Sequence, residues 1–214
     1  MNRRDRQKAG RWRAAAVAAL AFLAAGTATD AARAGEPEAK GQVFYAGAYS
    51  FSDELGGFRI LDVTGTGMRD DPFVIVEEFH SASPVTLTIR ATAPLGRYYG
   101  GDVLIANGDL YMRIEAVNGS GQAWVEFEFE LQEIRDRPSV FGDGLSFDQR
   151  KETSGTISSD SFARYSRDFE PYDRLLYQDG KVDPRASAGF SFFITDFTPR
   201  SVFYLVQDPR IPSS

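Results

Sequence analysis

The chain of 214 residues contains no cysteine and a single histidine, His80. Without thiols it has no disulfide staple, no thiolate nucleophile, no Cys-ligated zinc and no lipid attached through an N-terminal cysteine. One imidazole cannot build a His-rich metal site, and no Gly-x-Ser-x-Gly elbow accompanies it for a Ser-His-Asp arrangement. Placed after Glu77-Glu78-Phe79, His80 reads as a surface or turn residue at a strand end. Nor is any apolar run long enough to span a bilayer, which takes about 20 residues. The longest is Ala14 to Ala25.

That short run has a telling context. Arg3, Arg4, Arg6, Lys8, Arg11 and Arg13 precede it, and small residues lead from it to Ala32-Arg33-Ala34. A basic start, an apolar centre and an A-x-A site define a cleavable secretory signal helix over residues 1–34, cut near Ala34. The expected address is the periplasm or exterior of a bacterium, reached through export machinery and with no membrane anchor after cleavage. Arg3-Arg4 resembles a twin-arginine signal, but Asp5-Arg6-Gln7 lacks the apolar residues expected after that pair. Both general and twin-arginine export therefore stay open.

Cleavage changes the charge. It removes seven of 24 basic and two of 30 acidic side chains, leaving 17 and 28, a net charge of −11 on 180 residues. That sign excludes nucleic acid as an expected partner, since phosphates attract basic patches. It suits a solvated exported protein or one holding divalent cations. Residues 35–41 read as a flexible start, and residues 42–214 as a single domain large enough for a real core.

From Gln42 onward the pattern is all-β. Phe58–Val63, Phe73–Val76, Val85–Arg90, Val103–Ile105, Leu110–Val117, Ala123–Ile134, Gly189–Thr195 and Val202–Val206 are β-branched and aromatic runs between turn residues. In Trp124–Gln132, Val125, Phe127, Phe129 and Leu131 alternate with Glu126, Glu128 and Glu130, giving one apolar and one acidic face. Asn118-Gly119 reads as a hairpin turn leading into that strand. The spacing predicts an antiparallel β-sandwich, jelly-roll-like in character. A long partly helical insertion is expected near 135–187. There Phe162, Tyr165 and Phe169 have helical spacing after an N-cap at Ser159 or Asp160, and Pro171 opens a second helix ended by Gly180.

Three sets of residues could carry function. Glu126, Glu128 and Glu130 share one strand face at i, i+2 spacing, so their carboxylates stand roughly 6–7 Å apart. That lies between the separations for retaining and inverting glycoside hydrolysis; the competing reading is a solvated face that guards against edge pairing. Tyr98 and Tyr99 on a glycine-flanked tip, with Phe162, Arg164, Tyr165, Arg167 and Tyr172 of the insertion, form a candidate binding surface for sugars or proteins. Asp143 with Asp148, and Asp179 with Asp183, are loop carboxylates that could take Ca²⁺ or serve only as turn formers. No other cofactor is expected. These features point to a non-enzymatic binding or interaction module of the cell envelope, its partner an envelope protein or a glycan. The alternative is a carbohydrate-active protein, either a sugar-binding module or a glycosidase using the glutamate strand.

Overall fold

Period-two alternation of burial runs along Phe73–Phe79, Asp109–Asn118 and Val202–Arg210. The computed structural model describes residues 41–96, 104–148 and 155–212. The signal segment 1–34, residues 35–40 of the flexible start, Val103, Tyr98 and Tyr99 lie outside them. Everything below concerns the described residues of Ala39–Ser214.

Among the described residues there are thirteen strands and no helix. They are β1 (Val43–Ala46), β2 (Tyr49–Ser52), β3 (Phe58–Thr64), β4 (Phe73–Phe79), β5 (Val85–Ala91), β6 (Asp109–Asn118) and β7 (Glu126–Gln132). There follow β8 (Leu145–Phe147), β9 (Ser158–Ser159), β10 (Phe162–Ser166), β11 (Arg174–Gly180), β12 (Ser187–Asp196) and β13 (Val202–Arg210). One sheet runs β1-β2-β5-β13-β7-β11-β10 and is antiparallel throughout; the other runs β3-β4-β6-β12-β8, with β9 paired to β12. In the second sheet β4 and β6 are parallel. The reason is topological. Between them the chain visits the first sheet as β5, so it returns by a crossover rather than a hairpin.

A single cluster of buried side chains draws on both sheets. Ring pairs join them, among them Phe51–Phe73 at 5.0 Å, Phe79–Phe127 at 5.7 Å and Phe129–Phe192 at 4.8 Å. Each buried aromatic of this kind contributes roughly 1.5–3 kcal/mol by transfer from water. Trp124 is fully buried against Phe79, and its indole N–H donates to Ser120 Oγ at 3.2 Å. This core does the work that disulfides do in many small exported domains.

The expected helices of 135–187 are absent. That stretch supplies β8, β9, β10 and β11 instead. Phe162 and Tyr165 are three apart on a strand and so point to opposite faces: Phe162 is buried against Phe190, whereas Tyr165 is exposed. Leu175 and Leu176 are both buried because β11 is covered on both faces. Gly180 ends no helix; it pairs with Phe162, and a Cβ there would collide with Ser161 O. The hairpin at Asn118-Gly119 is also absent. Asn118 is fully buried and its amide donates to the carbonyls of Gln122 and Val182, turning the chain from one sheet to the other. The positive φ falls at Gly121. Leu104 and Ile105 lie outside any strand.

Candidate functional site

The acidic strand lies inside its sheet, between β13 and β11, and not at an edge. On the face away from the core, register places Arg174 opposite Glu130, Asp208 opposite Glu128, and Arg210 opposite Glu126. Arg174 Nε donates to Glu130 Oε2 at 2.6 Å and lies 3.9 Å from Glu128. Arg210 donates to Glu128 Oε2 at 2.7 Å and reaches Glu126 at 3.6 Å and Asp208 at 3.5 Å. Gln132 donates to Glu130 Oε1 at 2.8 Å and accepts Asp136 N–H at 2.7 Å. Glu128 and Glu130 are only 7% and 9% exposed. Burial raises the Glu128 carboxyl, a shift that Arg210 and Arg174 oppose and Asp208 reinforces. Asp208 is raised by burial too, against the pull of Arg210. The strand is thus neither an open solvated face nor a cleft wall, but a ladder of carboxylates interleaved with two guanidiniums.

Beside it lies a cleft of about 130 Å³, which Arg174 borders from its other side. It is lined by Ser146 and Phe147 of β8 together with Phe141, Arg167 and Glu170 to Arg174. Three backbone bonds fix this lining: Phe141 N–H to Pro171 O at 3.1 Å, Asp173 N–H to Ser139 O at 3.1 Å and Leu131 N–H to Asp173 O at 3.0 Å. Arg167 Nη1 donates to the Phe147 and Asp148 carbonyls. Phe141 is 64% exposed and Tyr172 is 45% exposed, with the Arg174 guanidinium 5.3 Å from the Tyr172 ring centre. Burial pushes the Asp173 carboxyl up to about 6; a Ser146 hydrogen bond opposes the shift, the Asp143 charge adds to it and Arg167 counters it. Exposed aromatic surface beside fixed charged groups can hold a ring-bearing, hydroxylated or polar ligand.

The sequence candidates distribute unevenly over this geometry. Arg167 and Tyr172 line the cleft; Phe162 belongs to the core. Arg164 is exposed and ion-paired to Asp179, and Tyr165 sits 6.5 Å from the Tyr177 ring. None of Glu126, Glu128 and Glu130 borders the cleft. Asp143 accepts the N–H groups of Val140 and Leu145, Asp183 pairs with Lys181 at 2.6 Å, and Asp148 and Asp179 occupy positive-φ positions. Among the described residues no group of three or more His, Cys, Asp or Glu converges as a metal site. His80 is exposed at the end of β4, as expected. Sequence reasoning missed Phe141, Glu170, Asp173 and Arg174 as cleft residues, and Arg210 as the partner of the glutamates. Arg174 alone carried a signal, being interleaved with the aromatics of the insertion.

What fold and site define is a class: an all-β protein of two sheets with a small polar and aromatic cleft beside a charged sheet face. No family model matches the chain, and no curated protein or solved structure matches it.

Proposed function

We propose that the protein is an exported bacterial β-sandwich of jelly-roll-like form that acts as a non-enzymatic binding module of the cell envelope, with its ligand seated in the cleft. The observation that carries this reading is the exposure of Phe141 and Tyr172 on walls whose backbone is fixed by hydrogen bonds. Two exposed rings lining one cleft, beside carboxyl and guanidinium groups, offer apolar contact area with polar reach, the composition of a ligand-binding surface. The basic, apolar and A-x-A succession of residues 1–34 supports export.

A glycan is the second reading of the occupant. The cleft pairs aromatic faces with carboxyl and guanidinium groups, which suits a sugar ring. Hydrolysis by the glutamates fits less well, because Glu128 and Glu130 are covered by arginines and do not line the cleft.

The test presents wild-type protein and Tyr172→Ala to a glycan array and to isolated peptidoglycan sacculi. Retention on either surface, reduced at least tenfold by Tyr172→Ala at unchanged stability, is the expected result. Equal retention by the two proteins removes the cleft as the binding site. Release of reducing sugar that Glu128→Gln abolishes would replace the binding reading with an enzymatic one.

A further inference from the structure

Phe73, Ile75, Glu77 and Phe79 share the inward side of β4. Three are apolar, and the other carries a carboxyl that solvent does not reach. In register Glu77 has Ile60 of β3 on one side and Ala116 of β6 on the other, and neither side chain can hydrogen-bond. Its one bond crosses to the opposite sheet, where Gln207 Nε2 of β13 donates to Glu77 Oε2 at 2.6 Å. Gln207 is itself fully buried, between Val85 of β5 and Phe129 of β7. Asp53 is the one charged group felt at Glu77, and its carboxylate already accepts the N–H groups of Gln42 and Ile60.

Two oxygens are left over. Glu77 Oε1 and Gln207 Oε1 are closed to solvent and have no hydrogen-bond partner. Both belong to side chains already joined through their other polar atoms. As a carboxylate, Glu77 can only accept, and both oxygens stay orphaned. A proton changes that. We infer that Glu77 is built into the fold as the neutral acid, its Oε1–H donating to Gln207 Oε1, so that a two-bond acid–amide ring clasps β4 to β13 across the interior.

Chemistry and electrostatics agree. Burial, reinforced by the Asp53 charge and opposed by the Gln207 amide, pushes the Glu77 carboxyl up to about 8. An unfolded glutamate loses its proton near 4.5, so between about 4.5 and 8 the folded state holds a proton that the unfolded state has lost. The clasp contributes its full stability below that window and progressively less through it as pH rises. Its loss on ionisation makes the joining of the two sheets proton-dependent, with an alkaline limit set inside the core.

Two measurements test this. In the wild-type protein labelled with ¹³C at glutamate Cδ, NMR is expected to show one glutamate still protonated at neutral pH, and Glu77→Gln is expected to lack that signal. In urea unfolding, the folding constant of wild type relative to Glu77→Gln is expected to fall about tenfold per pH unit between about 5 and 8. The amide of Glu77→Gln reproduces both bonds of the ring without a titrating proton, so the ratio isolates Glu77 from the other carboxyls. A Glu77 signal that titrates in the ordinary carboxylate range would overturn the inference. So would parallel stability profiles for the two proteins. If Glu77→Gln does not fold, the wild-type titration decides alone: ordinary titration of every glutamate overturns the clasp, and one glutamate protonated at neutral pH upholds it.

Discussion

Two regions of this molecule bury glutamates, and they do so by opposite means. On the outer face of β7, Glu128 and Glu130 lie against the guanidiniums of Arg210 and Arg174. Inside, Glu77 faces an amide, and among the described residues no guanidinium acts on it. The difference follows from where a long side chain can lie. The Arg174 and Arg210 side chains stay about one-third exposed, so only part of their hydration is lost. Within the core a guanidinium would be stripped of water altogether, and the cheaper way to bury a carboxyl there is to keep it neutral. Charge is managed by pairing outside and by protonation inside.

The comparison breaks most visibly at Arg174. Arg174→Met keeps the stem but leaves Glu130 without its guanidinium and Glu128 with one partner fewer. The expected loss is about 3 kcal/mol at pH 8, the scale for a largely buried pair losing one member. At pH 5 the loss is expected to be smaller, because a carboxyl without its cation can take up a proton. Urea unfolding at the two pH values checks both, and adding Glu130→Gln is expected to recover most of the loss. An equal loss at both pH values would mean that Arg174 acts through packing and not through charge.

Inside, the corresponding change is Gln207→Leu, which strands the Glu77 carboxyl among apolar neighbours. About 2 kcal/mol is the expected cost, that of a buried polar group left unsatisfied. The double variant Glu77→Leu/Gln207→Leu removes both polar groups and is expected to recover that cost or exceed it. A double variant as unstable as the single one would contradict the view that the pair is a linked unit.

Much of this was legible in the residues. Phe127, Phe129 and Leu131 alternate with glutamates over a long stretch, so the strand and its apolar face could be read directly. The same alternation marks β4, β6 and β13. What surrounds the acidic face could not be read, because register between β7, β11 and β13 is a long-range property. Arg210 is 82 residues from Glu128, and Arg174 is 44 from Glu130. The helical reading of Phe162, Tyr165 and Phe169 failed for a related reason. Spacings of three and four suit a helix, but the β11 edge and the Phe190 ring offer Phe162 a better burial as a strand residue. Tertiary pairing overrode a local period. In the cleft, Tyr172 and Arg167 stood out by type, whereas Asp173 looked like any loop aspartate until burial distinguished it.

A third carboxylate sets the lower end of the scale. Glu54 is held below the usual glutamate range chiefly by its hydrogen bonds from Arg90, at 2.5 and 3.1 Å, with its own burial working against them. Its side chain is 35% exposed and that of Arg90 is 40% exposed, so water screens much of the attraction. Arg90→Gln is expected to cost about 0.5 kcal/mol, and nothing measurable in roughly 1 M salt. The pH dependence has the opposite sign to that of Glu77. A depressed carboxyl contributes stability above its unfolded value of 4.5 and loses it as pH falls through the folded value. Below about 4.5 acid therefore weakens the Glu54 pair, whereas the Glu77 clasp is already at full strength there and weakens only toward alkaline pH. Unfolding of wild type and Arg90→Gln across pH 3 to 6 separates the two, since the variant difference is expected to shrink toward the acid end (roughly, the range around the ordinary carboxylate pKa). A difference that grew on acidification would show Arg90 acting through something other than Glu54.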